Sequence, residues 1–258
     1  MDKREIPCYE KQELYPKKND YCICVFVINE GEKIQKQLKV MSSYTQLVDV
    51  IIADGGSSDN SLAIPFLKEQ KVTTLLTKTD SGKLSAQMRM ALAYALDKEY
   101  KGVIVVDGNG KDDMRSIPFF LEALKQGYDH VQGSRFIPGG KAINTPLSRL
   151  LALKLIHAPL ISLAARVPYT DTTNGFRAYS RKLIEHPDMQ PFRNIFNAYE
   201  LHYYLAIRAA QLGLKIKEVA VTRTYPKTGK IPTKISPFKG NLLILKTLFK
   251  AILNRYNP

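Results

Sequence analysis

The sequence contains no tryptophan, only three cysteines, and 24 acidic residues against 38 lysines and arginines. The cysteines form no CxxC pair and have no nearby histidine array, so neither a zinc site nor a disulfide framework is indicated. Cys22 and Cys24 alternate with Ile23 in "YCICVFVI", a pattern that predicts thiols buried in a strand. The N-terminus lacks the apolar region of a signal peptide, and we therefore expect a cytoplasmic protein.

Acidic residues are absent from two long segments, 130–170 and 219–258, which carry five and eight lysines or arginines respectively. These segments hold nearly all of the formal net charge of +14. A concentrated positive charge favours polyanions, anionic membranes or phosphorylated substrates. Aromatic residues do not interleave with the bases as a nucleic-acid stacking platform requires, and no nucleic-acid recognition motif is present. We therefore expect no nucleic-acid partner.

A long uninterrupted apolar run is also missing. The longest apolar stretch, 150–167, contains Lys154, His157, Pro159 and Arg166, and we predict that it is too interrupted to span a bilayer. The four histidines of the chain are scattered without metal-ligand spacing and are interpreted as structural. With 258 residues, of which 45% are hydrophobic, the chain fits one catalytic-size domain.

Predicted strands and helices alternate through the first half of the chain. The strands "YCICVFVI", "VDVIIAD", "VTTLLT" and "VIVVD" are separated by segments with helical spacing or helix-capping residues. This order is typical of an α/β fold with a mostly parallel, Rossmann-like sheet and helices on both faces. We divide the chain into an N-terminal arm (1–19), a single domain (20–235) and a C-terminal basic amphipathic helix (236–258).

The second half of the chain is less regular. We predict a strand at "DHVQGSRF" that lies beside the "VIVVD" strand, a polar loop at "YTDTTNGFRAYS" and one strand at "KIKEVAVTRTY". Between them lie an apolar basic helix and a long helix around "AYELHYYLAIRAAQLG".

Polar residues directly follow three of the predicted strands. Asn29 and Glu30 follow the first strand, Asp54 ends the second, and Asp107 ends the strand of "VIVVDGNGKDD". In an open α/β sheet, ligands bind in the crevice beyond the carboxyl ends of the strands. These side chains are therefore predicted to converge on one pocket. A local alternative is that Asp and Ser residues at such positions form turns and cap helices.

Six motifs, in their order along the chain, resemble the inverting family-2 glycosyltransferases of GT-A fold, particularly the dolichyl- and polyprenyl-phosphate sugar synthases. They are "VINEGEKI", "VIIADGGSSDNS", "VVDGNGKDD", "QGSRF", "DTTNGFRAYS" and "RTYPKTGKIPTK", within residues 20–240. The resemblance implies a GT-A domain that binds a nucleotide-diphosphate sugar with its first half and an acceptor with its second. The implied reaction is inverting sugar transfer to a glycan or a polyprenyl phosphate, in cell-surface polysaccharide or glycolipid synthesis.

The resemblance also assigns the donor to particular residues. These are Asn29, Glu30, Asp54, Lys83, Asp107 and Lys111. Asp107 and Asn109 occupy the family's DxD element, where carboxylates hold Mg²⁺ or Mn²⁺ between the donor phosphates. The chain departs from this element, because Asn109 replaces an acid and Lys111 stands where a metal ligand is often found. An ammonium group cannot ligate a cation but can neutralise a phosphate, so the sequence favours a divalent cation without establishing metal dependence.

For the acceptor, the resemblance implies a set of basic and loop residues in the second half. These are Arg135, Asp171, Gly175, Arg177, Lys230 and Lys234. Glu200 falls where relatives that transfer to hydroxyls carry a catalytic acid, and such a base is needed only if the acceptor is a hydroxyl. Otherwise Glu200 supports the acceptor loop from its helix. The predicted catalytic residues are thus Asp107, Arg135 and Glu200.

Two alternatives stay open at this point. The departures at Asn109 and Lys111 also allow a catalytically impaired scaffold that binds a nucleotide sugar. The apolar basic helices at 150–167 and 241–253 have the composition of interfacial helices. This composition favours peripheral attachment to the anionic inner face of the cytoplasmic membrane. Alternatively, these faces pack on the sheet or on a second subunit. The sequence determines neither the sugar, the base, nor the oligomeric state.

Overall fold

The structure, a computed structural model, describes residues 4–227 and 239–258. The strands are β1 (Tyr9–Glu13), β2 (Tyr21–Val27), β3 (Asp49–Asp54), β4 (Thr74–Lys78), β5 (Gly102–Asp107), β6 (His130–Ser134), β7 (Lys141–Ile143), β8 (Arg177–Ser180), β9 (Ile216–Ala220) and β10 (Thr222–Thr224). The helices are α1 (Glu32–Met41), α2 (Ile64–Glu69), α3 (Leu84–Asp97), α4 (Ile117–Lys125), α5 (Leu147–Ala152), α6 (Ala158–Ala165), α7 (Arg181–Ile184), α8 (Glu200–Gln211) and α9 (Lys239–Ile252). A π-helical turn, Leu153–His157, joins α5 to α6.

Eight strands form one sheet in the order β1-β4-β3-β2-β5-β8-β6-β9. Strands β4, β3, β2 and β5 are mutually parallel, as are β6 and β9. Two strands run antiparallel to their neighbours: β8, which lies between β5 and β6, and β1 at the edge beside β4. The predicted mixed α/β fold with a mostly parallel sheet is confirmed. A separate parallel pair, β7 and β10, lies outside this sheet.

Helices cover both faces of the sheet because the side chains of each central strand alternate between them. In β2, Cys22, Cys24 and Phe26 pack with α3, α6, α8 and α9, whereas Ile23 and Val25 pack with α1, α2 and α4. Both cysteines are fully buried, as their alternation with Ile23 predicts.

The structure corrects three expectations about the strands. Residues 9–13 of the N-terminal arm pair with β4 and extend the sheet. The segment predicted as a polar loop ends in β8, so "DHVQGSRF" does not lie beside β5 as predicted; β8 separates them. The single strand predicted at "KIKEVAVTRTY" is split into β9 and β10, which belong to different sheets. Four-residue strands such as β8 are too short to show a period in the sequence.

Helices α5 and α6 form one continuous helical segment through the π turn. Pro159 lies in the first turn of α6 and has no N–H to donate, and the Ala158 amide bonds back to Leu153 across a wider turn. The segment Leu147–Ala165, with a mean hydropathy of 1.5, is long and apolar enough to cross a membrane by length and composition. The prediction that this segment is too interrupted to span was therefore too strict, because Lys154 and Pro159 are accommodated without ending the helix.

Candidate active site at the carboxyl edge of the sheet

Asp54 and Asp107 end two strands that flank β2 and point the same way. Asp54 is in register with Val27, and Asp107 is in register with Phe26. Adjacent strands are about 4.8 Å apart, so the two aspartates lie at one edge of the sheet, roughly 10 Å from each other. From α3, Gln87 Nε2 donates to the carbonyls of Val27 and Ala53 at 2.9 and 3.0 Å and ties the ends of β2 and β3 together.

A polar cluster joins the loops that follow β2 and β3. The Asp54 carboxylate accepts the Ser57 backbone N–H and, at 2.6 Å, the Ser57 hydroxyl. Asn29 bonds to the same loop in both directions, donating its N–H to Ser57 Oγ and accepting the Ser58 N–H. Asn29 has a φ of 48°, a left-handed conformation that asparagine tolerates well. The local turn that the sequence allowed for Asp54 is thus present.

A cleft of about 240 Å³ opens beside this cluster. Its wall includes Asp54, Ser57 and Asp59, and Gln12 of β1 lines it as well. Asp59 also receives the Gly31 N–H at 2.8 Å, which fixes the start of α1. Glu30 is only 10% exposed at its side chain, and its Oε2 lies 3.4 Å from Lys33 Nζ. Gln12 carries no sequence signal for this position, because only the pairing of β1 with β4 brings it here.

Asp107 is the partly open acid of the "DGNGKDD" loop, with 26% of its side chain exposed. Its Oδ2 accepts from Asn109 Nδ2 at 3.2 Å and lies 3.4 Å from Arg223 Nη2. From α1, Gln37 donates to the Asp107 carbonyl and accepts the Gly110 N–H, so that one side chain holds both ends of the turn. Gly175 faces the carboxylate closely: a Cβ there would lie 3.2 Å from both carboxylate oxygens.

Arg223 is a site residue that the motif analysis did not single out. Its guanidinium is 7% exposed and binds the fully buried Asp112 carboxylate as well as Asp107. Burial alone would lower the pKa of Arg223, but the charges of Asp112 and Asp107 raise it, so the group stays cationic. The sequence signal for Arg223 is the motif "RTYPKTGKIPTK", of which it is the first residue.

Among the residues that the structure describes, three cations lie near the ring of Tyr225. Lys111 Nζ lies 5.3 Å from the ring centre, and the guanidinium carbons of Arg149 and Arg223 lie 5.7 and 5.9 Å from it. Burial would raise the pKa of the Tyr225 phenol, yet Arg223, Lys111 and Arg149 lower it. Burial and the charge of Arg223 likewise lower the pKa of Lys111. This part of the site therefore has a concentrated positive potential, suited to an anionic ligand.

Arg135 and Asp171 form a buried ion pair with two parallel contacts, Nε to Oδ2 at 2.6 Å and Nη2 to Oδ1 at 2.9 Å. Their side chains are 3% and 0% exposed. Arg135 also donates to Thr173 Oγ1, and Glu218 on β9 accepts the backbone N–H groups of Thr170 and Asp171. Much of the hydrogen-bonding capacity of Arg135 is thus used inside the protein.

Arg177 is 2% exposed and donates to three backbone carbonyls. They belong to Thr172, Asn174 and His202. The side chain therefore fastens the 172–174 loop to α8, and a phosphate would have to displace these carbonyls to bind it.

Glu200 and Lys83 meet at a different part of the edge. Glu200 opens α8, is 8% exposed, and accepts the Ala198 N–H at 2.7 Å. The Lys83 N–H donates to the Asn197 carbonyl, and its ammonium lies 5.5 Å from the centre of the Tyr199 ring. The structure brings these residues together at the 197–200 loop.

Lys230 and Lys234, which were predicted for the acceptor side, lie outside the described residues.

This site, on a mostly parallel sheet with helices on both faces, defines a glycosyltransferase of GT-A fold. The chain belongs to glycosyl transferase family 2, whose family model matches residues 22–186. It is therefore an enzyme, a family-2 glycosyltransferase.

Curated relatives and solved structures agree with this assignment. The chain is 32% identical over 235 residues to dolichyl-phosphate hexose transferase of Haloferax volcanii, covering 91% of this chain and 95% of the relative. It is 28% identical over 197 residues to undecaprenyl-phosphate mannosyltransferase of Micrococcus luteus, covering 75% and 79%. Glucosyl-3-phosphoglycerate synthase of Mycobacterium tuberculosis, solved with Mn²⁺, UDP and phosphoglyceric acid, matches with a TM-score of 0.64 at 16% identity, covering 91% and 78%. At that identity, the likeness concerns the fold alone.

Proposed function

We propose that the protein transfers a sugar, with inversion, from a nucleotide-diphosphate sugar to a polyprenyl phosphate. The observation that carries this proposal is the open Asp107 carboxylate at the sheet edge beside the cations Lys111, Arg149 and Arg223. A cationic cluster of this kind suits a reaction in which both the leaving group and the acceptor are phosphates. The similarity to a dolichyl-phosphate hexose transferase and an undecaprenyl-phosphate mannosyltransferase supports the same acceptor class.

The proposed chemistry is a direct displacement. An acceptor oxygen attacks the anomeric carbon from the face opposite the nucleoside diphosphate, the new C–O bond forms as the old one breaks, and the bonding electrons leave with the diphosphate. A phosphate acceptor is already an anion and needs no base. A hydroxyl acceptor would have to give up its proton, and Glu200, buried at the N-terminus of α8, is the residue proposed to take it. Transfer to a glycan hydroxyl is thus the second candidate.

The proposed donor site extends along the edge from Asp54 to Asp107. Asp54 lines the cleft, and Asn29 is hydrogen-bonded to the loop that forms its wall. We propose that these two residues and Glu30 hold the nucleoside, since a carboxylate accepts bonds from a base imide or ribose hydroxyls. We propose that Lys83 binds the sugar-phosphate end of the donor, because its backbone N–H donates to the Asn197 carbonyl in the loop that leads to Glu200.

For the acceptor side, the contacts favour positioning roles for several predicted ligands. Arg177 holds the 172–174 loop, and Asp171 holds Arg135, so we propose that they shape the site. Gly175 keeps the space in front of Asp107 open. We propose that Arg149, like Arg135, is a cation that faces the acceptor phosphate.

A divalent cation is expected from the resemblance, and GT-A neighbours bind Mn²⁺ with UDP. Asp107 and Asn109 would be its ligands here. The donor set fits poorly, because one carboxylate is accompanied by an amide whose Nδ2 faces Asp107, and by Arg223. No group of three or more His, Cys, Asp or Glu residues that could hold a metal occurs within 4–227 and 239–258. No step of the proposed chemistry is therefore assigned to a metal.

The acceptor proposal is tested by incubating the full chain with UDP- and GDP-sugars and one of three acceptors. The acceptors are a polyprenyl phosphate, the matching polyprenol and a soluble glycan. We expect nucleoside diphosphate release and product only with the polyprenyl phosphate, and an anomeric configuration by NMR opposite to that of the donor. Transfer to the glycan alone would establish the second candidate instead. A product that retains the donor configuration would overturn direct displacement.

We also propose that the enzyme attaches peripherally to the inner face of the cytoplasmic membrane. Leu147, Leu151 and Leu155 lie one helical turn apart and are 68%, 48% and 70% exposed, and Leu163 is 77% exposed. On α9, Leu242 is 69% exposed, whereas Leu248 packs in the core. Both helices thus combine a packed face with an uncovered apolar one. Basic residues near an anionic surface add about 1 kcal/mol each.

Co-sedimentation with anionic liposomes tests this attachment. We expect Leu155→Ser/Leu163→Ser to reduce binding at least about tenfold, because each change removes an exposed apolar side chain worth about 1.5–3 kcal/mol on burial. The matched control, Val40→Ser/Leu47→Ser, alters two exposed apolar residues elsewhere and should bind normally. Binding should weaken at high salt. Protein that resists extraction with alkaline carbonate would point to a spanning helix, and protein that stays in the supernatant at low salt would contradict attachment.

A further inference from the structure

The "DGNGKDD" loop and β10 are joined by their backbones. The Asp113 N–H donates to the Thr222 carbonyl at 3.0 Å, and the Thr224 N–H donates to the Lys111 carbonyl at 2.8 Å. Asp112 and Arg223 face each other between these bonds. Arg223 is therefore built into the loop that would hold the donor diphosphate, although it is more than 100 residues away in sequence.

The charges of this unit are fixed in place. Asp112 is fully buried and binds Nη1 of Arg223. Asp107, at the open edge of the sheet, contacts the same guanidinium, with Oδ2 lying 3.4 Å from Nη2. Lys111 is 8% exposed, and its Nζ lies 5.3 Å from the centre of the Tyr225 ring, to which the Arg223 guanidinium carbon is also close, at 5.9 Å. Each cation is thus oriented by protein contacts before any ligand arrives, which reduces the entropic cost of binding a diphosphate.

The same contacts disfavour a divalent cation on Asp107. Such a cation usually keeps one or two carboxylates and the substrate phosphates as ligands. Here Asp107, the most exposed carboxylate of the loop, already pairs with Arg223, and the Asp113 carboxylate is engaged in a surface pair with Arg115. A divalent cation placed beside the positive charges of Arg223 and Lys111 would meet strong repulsion in this largely buried site.

We infer that Lys111 and Arg223 are resident counter-ions for the donor diphosphate, so that nucleoside diphosphates bind this enzyme without a divalent cation. The inference rests on the proposed function, because it names how that donor is held. The departure of the loop from two acids to Asn109 and Lys111 then has a physical role. It exchanges a metal ligand for a fixed positive charge.

Calorimetric titration of the full chain with UDP, GDP, CDP and ADP tests this inference, once in EDTA and once in Mn²⁺. For at least one of the four, we expect an affinity in EDTA within about threefold of that in Mn²⁺. Lys111→Ala should weaken binding in EDTA by about 10- to 100-fold, the range of one charge-assisted hydrogen bond. Lys36→Ala, which removes the same charge from an exposed site on α1, is the matched control and should bind normally.

A second variant tests whether diphosphate binding can be made dependent on a metal ion. Asn109→Asp/Lys111→Gln restores two oxygen ligands and removes the ammonium, so its diphosphate binding should require Mn²⁺. Wild-type binding that needs Mn²⁺, or Lys111→Ala binding that equals wild type in EDTA, would overturn the inference and leave the transferase proposal standing. Failure of all four nucleotides in both conditions would instead remove the proposed function. Metal-free binding without any sugar transfer would support the counter-ions and contradict the transfer.

Discussion

Asp107→Asn is expected to lower sugar transfer by at least about 10²-fold, the scale of losing an electrostatic group at a reaction centre. The substitution keeps the shape of the side chain but removes the charge that orients Arg223 at the open edge. Without it, the guanidinium keeps its pair with Asp112 but loses its alignment toward the diphosphate. Steady-state transfer and diphosphate affinity, measured on the same preparation, check this expectation.

The fold should survive this change. Asp107 is partly exposed at a strand end, so we expect the free energy of unfolding to change by no more than about 1 kcal/mol, as for other partly exposed ion pairs. Asp20→Asn is the matched control, because it removes an aspartate from an exposed pair with Lys101 at the opposite ends of β2 and β5 from the site. Wild-type turnover in Asp107→Asn would refute the donor-site assignment. A similar loss in Asp20→Asn would show that general surface charge is responsible.

Asp171→Ala is expected to have the largest effect on stability. It would leave the Arg135 guanidinium buried without its bidentate partner, and removing one member of a buried ion pair typically costs about 3–5 kcal/mol. That is a large fraction of the roughly 5–15 kcal/mol that stabilises a folded protein. Urea unfolding followed by circular dichroism checks this expectation, with Asp97→Ala as the control. Asp97 forms an exposed pair with Arg4, so its loss should cost about 1 kcal/mol or less.

A double variant separates structure from chemistry at this pair. Arg135→Met/Asp171→Leu replaces both charges by apolar side chains, which is often neutral or stabilising for a buried pair. We expect it to regain most of the stability lost in Asp171→Ala but to stay inactive, because the acceptor side then lacks Arg135. Recovery of transfer together with stability would show that the pair serves the fold alone. An Asp171→Ala protein as stable as wild type would contradict the buried pair itself.

The placement of Asp54 and Asp107 illustrates how far sequence reasoning reached. Both follow β-branched runs, and the rule that parallel strands present their carboxyl ends at one edge was enough to bring them together. Asn29 also contacts the loop after β3, because it lies in the neighbouring loop that follows β2. Family membership follows from the same motifs and is confirmed by the family match over residues 22–186.

The positions of Arg223 and Gln12 could not be predicted from the sequence. Gln12 reaches the cleft because β1 pairs with β4, and Arg223 reaches Asp107 because β10 leaves the main sheet and joins the loop after β5. Arg177 was predicted as an acceptor residue, yet in the structure its guanidinium donates to three backbone carbonyls. A motif can predict that an arginine lies near a site. It does not indicate which hydrogen-bond acceptors its guanidinium contacts.

By itself, the sequence determined the alternation of elements, the carboxyl edge that carries the acids, and the two segments that carry the positive charge. Those properties depend on local patterns, namely side-chain period, strand-end residues and composition. The tertiary structure decided the position of β8 between β5 and β6, the pairing of Arg135 with Asp171 and the capture of Arg223 by Asp107 and Asp112. These contacts join residues 36 to 116 positions apart, and the distance between such residues is set by how the chain packs, which no local pattern records.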